Sequence, residues 1–113
     1  DLPSYFTNDE KVSTALMKAS EKTADPMWRL PLFEPYRSYL DSSIADISST
    51  GSAPMGGAIT AALFLQAFID RDRPWIHTDF MGWNTSSRPG RPKGGEAQGL
   101  RAMFAMLATR YGA

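Results

Sequence analysis

His77 and Asp79 are the residues of this sequence whose types and spacing could do chemistry. Alternate side chains share one face of a β-strand, so both would project to the same side of a strand over 74–81. Imidazole and carboxylate groups are metal ligands, and Asp46 is the candidate for a third ligand. A His-x-Asp pair without a proven third ligand is commoner as a hydrogen-bonded buried pair. The buried pair is the preferred interpretation, and a small metal protein is the alternative.

A glycine-rich segment offers a second candidate site. Thr50–Gly57 precedes an apolar helix, and a helix N-terminus can bind phosphate. Neither G-x-x-x-x-G-K-[ST] nor G-x-G-x-x-G is present, so a nucleotide site is weakly supported. We expect the small residues here to allow close packing of the helix.

Basic residues could also bind an anion. Arg29 lies beside Trp28 and could clamp a phosphate or carboxylate, although a stacked or salt-bridged structural role is favoured. Arg88, Arg91 and Lys93 form a local basic patch in a polar loop that is long enough to be functional or mobile.

The segment 42–82 is expected to position these side chains as the core. Its pattern predicts a strand over 43–48, an apolar helix over 57–69 that is buried on several sides, and a second strand over 74–81. Two strands joined by such a crossover form a parallel, right-handed βαβ unit. In that arrangement Asp46 lies in a buried strand, where a carboxylate needs hydrogen-bonding partners.

The flanking segments predict helices. After a short apolar lead-in over 1–7, Asn8 can cap a helix whose buried stripe is Val12, Ala15, Leu16 and Ala19, and which ends at Asp25-Pro26. The segment 27–32 suits an edge strand or an irregular extension, 34–41 a short helix, and 100–111 a final helix closed by Gly112.

Composition excludes several functional classes. The chain has 113 residues, 42% hydrophobic and 21% charged, which is typical of one soluble globular domain at most. Twelve basic and twelve acidic residues cancel, so we expect neither nucleic acid nor membrane as a partner. Without cysteine there are no disulfides or thiolate sites, and no export signal is visible. The chain begins at Asp1, which we interpret as a cut end.

Five ordered blocks carry a resemblance that covers nearly the whole chain. They are Phe6-Thr-Asn-Asp9, Trp28-Arg-Leu-Pro-Leu32, Ser43-Ile-Ala-Asp46, Gly57-Ala-Ile-Thr-Ala-Ala-Leu-Phe-Leu65 and Trp75-Ile-His-Thr-Asp-Phe-Met-Gly82. Their order and spacing resemble the C-terminal part of the catalytic domain of the leucyl aminopeptidases, the M17 metallo-exopeptidases. The resemblance implies an α/β fold, a βαβ-based mixed sheet flanked by helices, with 1–113 forming an incomplete domain.

The resemblance also implies a function for the parent protein. It would be a cytoplasmic, commonly hexameric enzyme that uses two divalent ions, zinc, manganese or magnesium, to release N-terminal amino acids from peptides. In this family the metal ligands and the catalytic Lys and Arg lie upstream of the Phe-Thr-Asn-Asp block. The resemblance therefore assigns 1–113 no catalytic or metal-binding residue, and alone the chain should be inactive.

The resemblance implies that this segment forms part of the wall of the substrate pocket and packs against the remainder of its own catalytic domain. Thr50 falls where the pocket beyond the scissile bond is lined, and Met81 and Asn84 fall where the side chain of the released residue is accommodated. Met81 replaces the alanine of many members, which should narrow or reshape the pocket, and 90–99 departs from the family pattern. A stand-alone oligomerisation or binding module without catalysis is the alternative.

Overall fold

The computed structural model describes residues 2–112. Asp1, which we interpret as a cut end, and Ala113 lie outside the described residues. Within residues 2–112, three α-helices, five short strands and one 3₁₀ helix follow one another. They are β1 (Ser4–Thr7), α1 (Glu10–Thr23), β2 (Trp28–Arg29), the 3₁₀ helix (Glu34–Leu40), α2 (Gly57–Gln66), β3 (Ile76–Asp79), β4 (Trp83–Asn84), β5 (Gly94–Gly95) and α3 (Leu100–Tyr111).

The main sheet is mixed, with strand order β2-β1-β3. β1 runs parallel to β2 and antiparallel to β3, in a register that pairs Ser4 with both Trp28 and Asp79. The α/β class and the mixed sheet flanked by helices are therefore confirmed, as is the placement of β2 on a sheet edge. β1 was predicted only as an apolar lead-in over 1–7. Tyr5 and Phe6 are both fully buried, and a strand buried in this way lacks the alternation of apolar and polar residues that would identify it.

The strand expected over 43–48 is absent, so the parallel βαβ unit predicted for 43–81 is wrong. The parallel βαβ unit of this mixed sheet is instead β1–α1–β2. The hydroxyl of Ser42 accepts hydrogen bonds from the backbone N–H groups of Ile44 (3.3 Å) and Ala45 (3.0 Å). Such local bonds offer the backbone an alternative to a strand ladder, and 43–47 forms a series of bends. Ile44 is 97% exposed and Asp46 is also exposed, so the expected buried carboxylate is not found.

α2 was correctly placed, but its expected burial on several sides is wrong. Only Ala62 and Leu63 are buried, while Leu65 is exposed and Phe68, just after the helix, is 68% exposed. The helix rests on the 3₁₀ helix, where Arg37 donates to the side chain of Gln66 at 3.1 Å. No helix within residues 2–112 is both long enough and apolar enough to cross a membrane.

The core lies between α1, α3 and β1 instead of in the segment 42–82. Its buried side chains are Tyr5, Val12, Leu16, Ala19, Met27, Ala102 and Met106. The predicted apolar stripe of α1 is confirmed at three of its four positions, whereas Ala15 is exposed.

Both ends of α1 differ slightly from the prediction. Asp9, one residue after the predicted Asn8, is the N-cap, and its carboxylate accepts from the N–H of Val12 at 2.9 Å. Asn8 instead accepts from the N–H of Trp75 at 3.2 Å and so ties this turn to the start of β3. The helix stops at Ala24, which adopts a left-handed conformation just before Asp25.

Candidate substrate-pocket wall

Two of the three predicted pocket residues lie together where the chain leaves β3. Gly82 has φ +67°, a conformation that favours glycine, and its carbonyl accepts from the N–H of Glu96 at 3.0 Å. This turn places Met81 and Asn84 on one depression of about 80 Å³, which Trp83, Thr85, Ser86 and Arg88 also line. Ligand pockets usually measure about 300–1,000 Å³, so the depression is too small to be a complete site and can form only part of the wall of one.

Asn84 is held by a polar network. Its side chain is 3% exposed and donates to the carbonyl of Pro92 at 3.1 Å and to the carboxylate of Glu96. Its oxygen accepts from the guanidinium of Arg88 at 3.2 Å, and Arg91 donates to Glu96 at 2.5 Å. Charge-assisted bonds of this kind, partly shielded from water, fix the β4–β5 ribbon to the turn that carries Met81.

Met81 is the accessible member of this wall. Its side chain is 68% exposed, in contrast to Asn84. A flexible, polarisable thioether side chain can adapt to apolar groups of different shape, so an exposed methionine suits contact with an apolar ligand group. Met81 can therefore touch a ligand directly, while the hydrogen bonds of Asn84 are directed into the protein.

Thr50 lies apart from these two residues. It is exposed at the end of the bends over 43–50, and its hydroxyl is 3.3 Å from that of Ser48. It does not line the depression that Met81 and Asn84 share.

The residues present do not fit a metal site. Within residues 2–112, no three His, Asp or Glu side chains come together as a group that could hold an ion. The small metal protein built on His77, Asp79 and Asp46 is therefore not supported. The ring of His77 lies 5.8 Å from that of Phe6 and 6.4 Å from that of Trp75.

The preferred hydrogen-bonded pair of His77 and Asp79 is also not observed. The His77 Nε2 atom is buried without a hydrogen-bond partner among the described residues, as is the indole N–H of Trp75. Asp79 instead pairs through its backbone carbonyl, which accepts from the hydroxyl of Ser4 at 3.2 Å.

Two of the anion-binding candidates, Arg29 and Arg91, are paired with carboxylates. Arg29 makes a bidentate salt bridge to Glu10 at 2.6 and 2.7 Å, which confirms the favoured structural role. This hydrogen bond lowers the pKa of Glu10. Likewise, the hydrogen bond from Arg37 lowers the pKa of Glu34.

Glu96 is the residue of the network that sequence reasoning missed. The basic patch was recognised, and a single acid close to it in sequence was the signal that could have pointed to a partner. The contact itself depends on the pairing of β4 with β5, in which Asn84 lies opposite Gly94, and on the hydrogen bond from the N–H of Glu96 to the carbonyl of Gly82.

Comparison with known proteins gives this geometry a context. Residues 1–104 match the family described as "Cytosol aminopeptidase family, catalytic domain". A probable cytosol aminopeptidase of Synechococcus sp. (strain WH7803) is 38% identical over 97% of this chain and 22% of its own length. The probable cytosol aminopeptidase of Acinetobacter baylyi is 41% identical over 95% of this chain and 21% of its own length.

Solved structures show the same similarity. The crystal structure of cytosol aminopeptidase from Coxiella burnetii has a TM-score of 0.92 and 53% identity, covering 97% of this chain and 24% of its own. The bottromycin maturation enzyme BotP, solved in complex with Mn, has a TM-score of 0.86 and 31% identity over 96% of this chain and 24% of its own. The chain thus spans between a fifth and a quarter of the proteins it matches.

Proposed function

The chain belongs to the cytosol aminopeptidase family, peptidase family M17, and from that premise we propose that it is part of a dinuclear-metal aminopeptidase that hydrolytically releases N-terminal amino acids from peptides. The observation that carries the proposal is the agreement with the Coxiella burnetii cytosol aminopeptidase, 53% identical with a TM-score of 0.92 over 97% of this chain. Agreement in sequence and backbone at this level supports a peptidase role for the parent protein.

In this proposal residues 1–113 are the C-terminal segment of the catalytic domain and supply scaffold and one wall of the substrate pocket. Met81, which is exposed, contacts the side chain of the released residue, and buried Asn84 holds the turn that presents it. Thr50 lines the pocket beyond the scissile bond. The segment contributes no catalytic residue.

The two divalent ions, zinc, manganese or magnesium, are held by other polypeptide of the parent. The manganese complex of BotP supports divalent metal in a relative, and within residues 2–112 no group of metal-ligating side chains exists. The isolated chain is accordingly proposed to be inactive.

The remainder of the catalytic domain is the proposed partner of this segment. A folded monomer of this mass exposes about 6,200 Å². The chain exposes 7814 Å², about 1,600 Å² more, which is twice what one partner contributes to a standard interface. Its radius of gyration of 15.9 Å also exceeds the value of about 13 Å for a compact domain of this length.

The character of the exposed surface supports the same partner. Trp28, Ile44, Met55, Phe68 and Phe104 are all more than half exposed. These exposed side chains, together with the excess surface area, favour an incomplete domain over a stand-alone oligomerisation module. We further propose that the parent is hexameric and cytoplasmic, with peptides rather than nucleic acids or membranes as partners.

A chimera tests the proposal. Residues 2–112 replace the aligned quarter of the Coxiella burnetii enzyme, and leucine p-nitroanilide hydrolysis is measured with Mn²⁺ for the chimera, the unmodified enzyme and the 113-residue chain. We expect the chimera to retain activity and the 113-residue chain to have none. Activity in the 113-residue chain would contradict the placement of catalysis in other segments. A chimera that folds and assembles like the unmodified enzyme but is inactive would contradict the shared function.

A further inference from the structure

A groove lies between α1 and α3, and none of the residues that line it belongs to the Met81 wall. Its volume is about 650 Å³. Its floor is made of Ala15, Ala19, Ala105 and Met106, and because three of these side chains are small, another backbone can approach the helices closely.

One rim of the groove is a row of lysines. Lys11, Lys18 and Lys22 are seven and four residues apart, which puts them on one line along α1. The row is about 16 Å long at 1.5 Å per residue. Arg110 of α3 stands on the other side.

These lysines have no acidic partner of their own. Within residues 2–112, none of the three makes an ion pair. The one acid that lines the groove, Glu10, is already neutralised by its bidentate salt bridge to Arg29. The groove therefore has an apolar floor and a positive rim although the chain as a whole has no net charge.

We propose that this groove is a docking site for an acidic amphipathic helix of a protein partner. An apolar stripe of that helix would lie on the alanine and methionine floor, and its Asp or Glu side chains would pair with the lysine row and Arg110. The length of the row matches about three helical turns, which favours an elongated partner over a compact ligand. A second copy of the chain placed groove to groove would bring the two lysine rows together, so self-association through this surface is disfavoured.

The test measures binding of two synthetic helical peptides of about 15 residues, each with leucine at i, i+3, i+4 and i+7. One peptide carries glutamate on both flanks of the stripe and the other lysine. Binding is followed by isothermal titration to the 113-residue chain and to the Coxiella burnetii chimera. We expect the glutamate peptide alone to bind, more weakly when salt is raised from about 0.1 M to about 1 M, because this shortens the Debye length from about 10 Å to about 3 Å.

Variants locate the site. Lys11→Gln, Lys18→Gln and Lys22→Gln combined should weaken binding about tenfold, since exposed ion pairs are individually weak and act together here. Ala15→Trp, on an exposed floor position, should also weaken it without changing charge. Lys93→Gln, in the loop before β5, is the matched control and should bind normally. Circular dichroism confirms that each variant is folded.

Several results would overturn the proposal. They are no binding of the glutamate peptide to the folded chimera, equal binding of the lysine peptide, and equal loss in Lys93→Gln and the triple variant. Binding to the 113-residue chain alone would mean that the remainder of the catalytic domain covers the groove. Dimerisation in sedimentation velocity that Ala15→Trp abolishes would assign the groove to a second copy. Binding to phosphatidylserine vesicles without binding to the peptide would assign it to a membrane surface.

Discussion

The carboxylate of Asp25 accepts a hydrogen bond from the backbone N–H of Gly99 at 3.1 Å, across 74 positions of sequence. It also accepts from the N–H groups of Arg101 at 3.0 Å and Ala102 at 3.3 Å. The first N–H groups of a helix have no partner within the helix, and no side chain of α3 itself caps them. Asp25, 3% exposed, therefore caps α3 from the end of α1 and joins the two helices of the core.

Replacing Asp25 should destabilise the chain strongly. Asp25→Ala leaves buried donors without an acceptor and removes a negative charge from a helix N-terminus, which we expect to lower the free energy of unfolding by about 3 kcal/mol. Asp25→Asn keeps one acceptor and should lose about 1 kcal/mol. Urea denaturation measures both. Asp46→Ala, at an exposed acid, is the control and should change the free energy by less than about 0.5 kcal/mol.

A side chain at Gly99 should destabilise the chain. Its φ is +78°, and an added Cβ would lie 2.9 Å from the Met27 Cε atom. We expect Gly99→Ala to lower the free energy of unfolding by about 2 kcal/mol, of which about 1 kcal/mol is the left-handed backbone conformation. Gly112→Ala isolates that backbone part, because its φ is +74° and its Cβ would meet nothing within 4 Å. Equal losses in the two variants would show that Met27 simply moves away.

The position of the core can be tested with one deletion of apolar volume inside it and one outside. Leu16 is fully buried between α1 and α3, and Leu16→Ala should lower the free energy of unfolding by about 3 kcal/mol. Ile44 was expected in a buried strand but is 97% exposed, so Ile44→Ala should have almost no effect on the 113-residue chain. A larger loss for Ile44→Ala in thermal denaturation would restore the segment 42–82 as the core.

The helices could be predicted because their signals are local. The stripe Val12, Leu16 and Ala19 repeats at helical spacing, and Gly112 ends α3 as expected. The strand predicted over 74–81 is found as β3, but the strand pairing could not be predicted. The strands are two to four residues long and pair across large sequence separations, as Ser4 does with Asp79. At 43–48 a serine hydroxyl that satisfies neighbouring backbone groups outweighed the apolar pattern.

The candidate site was also predicted only in part. Met81 and Asn84 came from a resemblance carried by ordered blocks, and the structure places them on one depression. The contacts of Asn84 with Glu96 and Arg88, and of Glu96 with Arg91, could not be predicted from the sequence. They form only once β4 and β5 have paired. The roles of Met81 and Asn84 in binding substrate stay predictions.

The salt bridge between Glu10 and Arg29 should make the free energy of unfolding depend on pH. Arg29 lowers the pKa of Glu10 below its ordinary value near 4.5, chiefly by hydrogen bonding. A carboxyl group whose pKa is lowered by folding stabilises the folded state above its unfolded pKa, and that stabilisation is lost as pH falls through the folded pKa. The urea midpoint of the unmodified chain should thus exceed that of Glu10→Gln near neutral pH and converge with it as pH falls through the lowered pKa of Glu10.

A matched variant on the same helix controls this comparison. Glu21 is an exposed carboxylate without a salt bridge within residues 2–112. Glu21→Gln should track the unmodified chain across the whole pH range. A difference between the unmodified chain and Glu10→Gln that persists in acid would mean that packing and not charge distinguishes them.

Met81 should set which N-terminal residue the parent enzyme prefers. Its exposed side chain stands at the wall that we propose for the released residue, so Met81→Ala should enlarge the space for a bulky side chain. In the Coxiella burnetii chimera, the ratio of kcat/KM for phenylalanine p-nitroanilide to that for alanine p-nitroanilide should rise about tenfold, since a few methylene groups in a pocket discriminate by about that factor. Met55→Ala makes the same change at a methionine that is 80% exposed elsewhere and should leave the ratio unaltered. If both variants shift the ratio equally, or neither does, Met81 does not line the pocket, whereas loss of hydrolysis for both substrates alike would show that it supports the site without selecting the residue.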